Sequence, residues 1–226
     1  MSRIAIFFLV VFALELAFVI GLLGWLTVKT NLLGWFLLLV GTAYLVGVVI
    51  VYWFRKERFW GPRAGGAMLK EENDDRSFWL IVIGMIVAFF LPPLEYIFLP
   101  ALLPRRLWMQ ITGLTLIILG CVLFIWARRT LGKFYSGHVS VVEGQPLVQS
   151  GPYHFIRHPA YAGYFLMALG IAFGYSSLIG VAAFILLLIP VTIYRLRLED
   201  KFLGEHFGDE FKAYAVKVAR LIPGIW

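Results

Sequence analysis

Residues 160–194 run for 35 residues without one charged side chain. As a single helix this run would be roughly 52 Å long at about 1.5 Å per residue, against about 30 Å of bilayer hydrocarbon. It must therefore overshoot a membrane or turn back inside it. Gly174-Tyr175-Ser176-Ser177, near its middle, is where it can turn, because glycine and serine favour breaks over helix interiors. The pattern predicts a helical hairpin with both ends on one side of a membrane. Its first arm, 160–173, is short, carries Gly163 and Gly170, and is expected to tilt or to cross incompletely. The second arm leaves the membrane at Arg195 as a charged helix.

Four more apolar stretches precede the hairpin. Residues 4–26 are apolar apart from Glu15, exceed a signal-peptide core and lack a small-residue cleavage site behind them, so they read as span one. Residues 32–54 hold no charge and read as span two, reached through Lys29-Thr30-Asn31. Residues 78–91 open span three, which Pro92-Pro93 are expected to end or kink, leaving Glu95 and Tyr96 at the far interface. Residues 107–127 are span four. Between spans two and three, residues 55–77 form a polar loop with Gly65-Gly66 and the mixed run Lys70-Glu71-Glu72-Asn73-Asp74-Asp75-Arg76, read as solvated. The fold class is therefore all-α: a multi-pass integral membrane protein with four spans, a C-terminal helical hairpin and an amphipathic tail helix over 209–218. Its 15% charged residues, against about 25% in soluble domains, agree with this. Residues 1–127 supply the spans and 128–226 the loop, hairpin and tail, as one compact domain.

Seventeen of the 20 Lys and Arg fall on the face that holds both chain ends, leaving only Lys29, Arg105 and Arg106 opposite. The positive-inside rule then puts both termini in the cytoplasm. It also accounts for the net charge of +7 without nucleic acid. Cys121 stands alone, so no intrachain disulfide is possible, and four scattered histidines offer no zinc-ligand spacing; no metal is expected. Glu15 is open between a functional intramembrane carboxylate and a packed one. His154 and His206 read as surface residues, and Phe211, Tyr214, Ala215 and Val218 as a packing stripe.

The hairpin brings its entrance, Arg157-His158-Pro159-Ala160-Tyr161, beside its exit, Tyr194-Arg195-Leu196-Arg197-Leu198-Glu199-Asp200. Arg195 and Glu199 are four apart on a helix, share a face, and can pair or flank one ligand. Gly151-Pro152-Tyr153-x3-Arg157-His158-Pro159-x-Tyr161, then Arg195-x3-Glu199, Phe207-Gly208-Asp209-Glu210-Phe211-x2-Tyr214 and Leu221-Ile222-Pro223, together resemble the C-terminal half of the isoprenylcysteine carboxyl methyltransferase family. The resemblance covers roughly residues 128–226; phospholipid methyltransferases and membrane sterol reductases carry related His-Pro-x-Tyr signals.

The resemblance implies S-adenosyl-L-methionine (AdoMet) as cofactor, with S-adenosyl-L-homocysteine as product. It implies cofactor contacts at Gln145, Pro146, Leu147, Val148, Tyr153, His158, Pro159, Ala160, Tyr161 and Glu199, and an upstream polar contact at His138. Arg195 matches the substrate-facing arginine. Two departures bear on the acceptor: Leu198-Glu199-Asp200-Lys201 is poorer in glutamate than usual, and Phe211 stands where a tyrosine is common. The residues suit the chemistry on their own terms. A sulfonium amino acid wants a carboxylate for its ammonium, His and Arg donors for its carboxylate, and aromatic faces; Glu199, His158, Arg157, Tyr153 and Tyr161 supply these. The expected catalytic set is Arg195, Glu199 and Arg157. A carboxylate acceptor needs no strong base, only in-line placement and exclusion of water, and Arg195 could fork onto it. The expected acceptor is lipid-like or prenylated and enters from the bilayer, with no nucleic acid and no obligate protein partner. The alternatives are N-methylation of an amine or phospholipid headgroup, an NADPH-dependent reductase of sterol-reductase type, and a lipid-binding scaffold without catalysis.

Overall fold

The hairpin forms where the glycine and serines break the run. In the computed structural model, which describes residues 17–54, 68–224 and 226 (side chains of 44–54 and 68 excepted), helix α5 (Pro159–Gly174) ends at Tyr175-Ser176-Ser177, with Ser176 at φ +52°. The chain returns through α6 (Leu178–Ala183), one π-helical turn (Phe184–Leu188) and α7 (Ile189–Phe207). The π turn lies just ahead of Pro190, which has no N–H to donate four residues back, so the helical ladder widens there. At about 1.5 Å per residue, the 16 residues of α5 span roughly 24 Å, short of a full crossing.

Upstream lie α1 (Ala17–Thr27), α2 (Leu32–Phe54), α3 (Asp74–Phe98) and α4 (Leu107–Leu131). Among the described residues, three helical stretches are long and apolar enough to cross a membrane: Asp74–Phe98, Leu107–Phe134 and Leu178–Phe207. Glu15, Gly65-Gly66 and most of the first polar loop lie outside the described residues.

Span three continues past its prolines. Pro92-Pro93 do not end it; α3 runs through both to Phe98. Both prolines are buried, and Pro92 packs so closely on α6 that a Cβ added at Gly180 would lie 2.6 Å from its Cγ. Proline φ fits a helix, and packing against a neighbouring helix offsets the missing ladder bonds. Glu95, three residues before the end of α3, is buried within the protein. Its carboxylate accepts from Ser177 Oγ and from the Ile179 N–H at 3.1 Å, so it ties α3 to the start of α6. The same end of the bundle is closed by Thr27 Oγ1 on Tyr175 Oη (3.1 Å), and by Asn31 donating to the Gly174 carbonyl (3.0 Å).

Helices α4 and α5 meet main chain to main chain. A Cβ added at Gly113 would stand 2.5 Å from the Gly170 carbonyl oxygen, and one at Gly120 would stand 2.6 Å from that of Gly163. The reverse additions at Gly170 and Gly163 would stand 2.6 Å and 2.8 Å from the carbonyl oxygens of Gly113 and Gly120. Helix pairs in lipid gain from such contact, since apolar side chains have no water to escape. One apolar cluster (Leu33, Tyr96, Ile117, Ile171, Tyr175) fills the turn end, and another (Ile81, Ala88, Ala168, Leu188) lies where α3 crosses the hairpin.

A feature without a signal in the sequence is the two-stranded antiparallel ribbon of β1 (Met68–Lys70) and β2 (Ser140–Val142). It staples the loop before α3 to the loop before α5. Helix α8 (Asp209–Lys217) follows Gly208, whose φ of +57° suits glycine at a helix junction. Phe211 and Tyr214 of its predicted stripe are buried, with Ala215 and Val218 half-buried.

Candidate active site

The entrance of the hairpin is fixed by the tail of the chain. Ile156 bridges Ala219, the Arg157 N–H donates to the Ala219 carbonyl (2.8 Å), and the His158 N–H donates to the Arg220 carbonyl (3.1 Å). Pro159 then starts α5 at a position where its missing N–H costs nothing. Tyr153 lies in a 3-10 turn (Gly151–His154), and its carbonyl accepts from Tyr214 Oη at 2.5 Å. Burial pushes the Tyr214 phenol up to about 12. Tyr153 is raised further, first by burial and then by the Glu199 charge, so both are neutral hydrogen-bonding groups.

Entrance and exit meet as the hairpin requires. Tyr161 Oη accepts from Arg195 Nε at 2.7 Å and donates to Glu199 Oε2 at 3.1 Å. Arg195 and Glu199 do share a face, and the Tyr161 hydroxyl couples them. His158 Nε2 lies 2.8 Å from Asp200 Oδ1, and its Nδ1 is 3.8 Å from Glu199 Oε1. Asp200 also holds Arg220 Nε at 2.6 Å and Arg157 Nη1 at 3.5 Å. Arg157, expected as a donor to the cofactor, thus faces Asp200.

Arg195 is 1% exposed, and most of its donors are engaged: Nη1 with Ser77 Oγ (2.6 Å) and Asp74 Oδ1 (3.3 Å), Nη2 with the Gly137 carbonyl (2.6 Å). A free fork is therefore not on offer; one Nη2 hydrogen remains uncommitted. Asp74 corrects the reading of residues 70–76 as a solvated run. It is fully buried and gathers Arg195, the Val139 N–H (2.7 Å) and His138 Nδ1 (2.6 Å). His138 stacks on Phe78, with ring centroids 4.4 Å apart. The ligand-capable atoms of Asp74, Asp75 and His138 lie within 4.8 Å of one another, yet Lys70 and Arg195 already balance those carboxylates.

Gln145 closes the turn after β2, its Oε1 accepting from the Val142 N–H at 3.1 Å. Pro146 is exposed, Leu147 and Val148 are half-buried, and among the described residues no hydrogen bond joins these three to the polar cluster. Ala160 is half-buried and Pro159 buried beside His158. His154 and His206 are exposed, as read.

Sequence reasoning missed Asp74, Ser77, Asp200 and Arg220. An acid in the first turn of α3 was the available signal for Asp74. Asp200 follows Glu199 directly and points about 100° away from it, so the spacing that selected Glu199 passed over it.

Residues 108–210, from α4 into α8, match the Phospholipid methyltransferase family. Protein-S-isoprenylcysteine O-methyltransferase B of Arabidopsis thaliana is 30% identical over 143 residues, 61% of this chain and 72% of that protein. The uncharacterized protein YpbQ of Bacillus subtilis is 30% identical over 130 residues, 58% of this chain and 76% of its own length. The eukaryotic intramembrane Ras methyltransferase ICMT shares the fold, at a TM-score of 0.59 and 22% identity, with 94% of this chain and 74% of that one covered. With the hairpin, the Arg-His-Pro entrance and the Arg195–Tyr161–Glu199 arrangement in place, these likenesses have one reading: the chain belongs to the isoprenylcysteine carboxyl methyltransferase family of integral-membrane methyltransferases.

Proposed function

We propose that this chain transfers a methyl group from AdoMet to the carboxylate of a lipidated or apolar acceptor, of which a prenylated cysteine is the best-supported kind. The observation that carries this reading is the hydroxyl-bridged placement of a half-buried carboxylate, Glu199, beside a buried cation, Arg195, at the mouth of a membrane hairpin. The names of the methyltransferase relatives support the carboxyl acceptor.

The donor set fits AdoMet. Asp74 and Asp200 are neutralised by bound cations, whereas Glu199 keeps 26% of its side chain exposed and can take an ammonium. Tyr153 and Tyr161 offer aromatic surface beside it, and residues 145–148 with His138 would close the loop side. When bound, AdoMet supplies a methyl group on a sulfonium. Glu199 and His158 orient the amino-acid end, and the tyrosines and the hairpin mouth exclude water. Arg195 provides fixed positive charge and one uncommitted N–H towards the acceptor carboxylate, which is already ionised and needs no base. Arg157 holds Asp200, and through it the imidazole of His158.

Four spans formed by α1 to α4, a hairpin of α5 to α7, and cytoplasmic termini complete the reading. The acceptor then presents its head from the bilayer while AdoMet enters from the cytosol. The match to phospholipid methyltransferases favours a second reading, N-methylation of an amine headgroup, for which Glu199 would serve as base.

The test is radiolabelled methyl transfer in membranes containing the full chain. Base-labile label is the expected ester, and base-stable label means an N-methyl product. Calorimetry on the purified chain should show S-adenosyl-L-homocysteine binding and none of NADPH. Glu199→Ala should abolish the former; unchanged affinity removes Glu199 from the site.

A further inference from the structure

On the far side of α7 from Arg195 and Glu199, a cleft of about 550 Å³ opens between α7 and α8. Helix geometry sets the two sides apart, since Arg197 stands about 200° around the axis from Arg195, and Lys201 about 200° from Glu199. Five cations line the cleft, namely Arg157, Arg197, Lys201, Lys212 and Arg220, against two carboxylates. One of these, Asp200, is fully engaged by His158, Arg220 and Arg157. The other, Glu205, is exposed and among the described residues meets only Lys201, at 3.7 Å, while Lys212 pairs with exposed Asp209 at 2.8 Å.

Arg157 supplies the decisive detail. Its side chain is nine-tenths buried, and its Nε–H is buried with no acceptor among the described residues. A buried charged donor left unmatched is costly, and Arg157 is among the residues that line the cleft. A tetrahedral oxyanion matches a guanidinium better than any neutral group does, and flanking lysines add charge without fixed geometry. Exposed apolar side chains surround the same end of the molecule: Val216 at 88%, Phe155 at 61% and Ile222 at 51%. Apolar tips beside a basic cleft are what a surface resting at headgroup depth presents.

We propose that the α7–α8 cleft, built on Arg157, Arg197, Lys201, Lys212 and Arg220, binds a phosphate group separately from the methyl-transfer site. The phosphate comes from an anionic phospholipid headgroup or from a soluble phosphate, and the two sources separate by experiment. The full chain in detergent is titrated with phosphatidylglycerol or phosphatidylcholine of matched acyl chains, and retained lipid is counted by native mass spectrometry. In parallel, its melting midpoint is measured in inorganic phosphate and in chloride at equal ionic strength.

If the source is a lipid, phosphatidylglycerol is retained at least about tenfold more tightly than phosphatidylcholine. If the source is soluble, inorganic phosphate raises the midpoint with no lipid preference. Either response must vanish in Arg197→Gln/Lys201→Ala/Lys212→Ala, whose three side chains are exposed, and must survive in Arg129→Gln/Lys133→Ala, which removes charge elsewhere. Absence of both responses, or their persistence in the triple variant, overturns the proposal. So does equal loss in the control variant, which would mean diffuse charge and no built site.

Discussion

Replacing Tyr161 by phenylalanine removes one oxygen and keeps the ring, yet that oxygen carries both hydrogen bonds of the Arg195–Glu199 coupling. The two ends respond differently. Glu199 is partly exposed, so water replaces the lost donor and little folding energy is at stake. Arg195 is not, and its Nε–H stays buried without an acceptor, at about 1–3 kcal/mol. Glu199 also loses the group that aims it, and one positioning bond of about 1.4 kcal/mol corresponds to tenfold weaker cofactor affinity. Tyr161→Phe should therefore lower the melting midpoint in detergent and weaken S-adenosyl-L-homocysteine binding about tenfold by calorimetry. In a double-mutant cycle with Glu199→Gln, the binding losses should fall short of additive, because both changes break the same bond. An affinity within twofold of wild type together with an unchanged midpoint would refute the coupling, as would strict additivity.

Asp74→Ala strips a buried arginine of its charge partner and should cost about 3–5 kcal/mol in unfolding measurements. Asp75→Ala, at an exposed neighbour, should stay within about 0.5 kcal/mol; equal effects would mean that Asp74 owes nothing to Arg195. Gly120→Val drives a side chain into the Gly163 carbonyl and should cost about 1–3 kcal/mol or prevent assembly, while Gly21→Val, which meets nothing within 4 Å, should not. The raised pKa of Tyr214 stabilises the folded state below the unfolded tyrosine value near 10, and this is lost as pH climbs towards about 12, with Tyr153, raised further, losing its share beyond that. The melting midpoint should fall over that range, less steeply in Tyr214→Phe; identical slopes would exclude Tyr214 as a contributor.

The hairpin was legible because charge is the one thing a bilayer forbids, and its absence over residues 160–194 leaves few ways to fold. The same constraint delivered the meeting of His158 and Tyr161 with Glu199. Asp74 was illegible for the opposite reason. In Glu71-Glu72-Asn73-Asp74-Asp75 every side chain is polar, so no period singles out the buried one, and only Arg195, 121 residues away, makes it special. That α3 runs on through Pro92-Pro93 was illegible because proline's effect was judged on an isolated helix, whereas α6 packs directly against Pro92. The burial of Glu95 was hidden for the reason that hid Asp74: its partners, Ser177 and Ile179, lie 82 and 84 residues away in the chain.

The glycine seam between α4 and α5 also limits how the proposed lipid-tailed acceptor can arrive. Two rods touching along their peptide planes have no side chains to swing aside, so that wall cannot part to admit a hydrocarbon tail. A portal for such a tail has to open elsewhere around the bundle, with the α4–α5 pair as its fixed jamb.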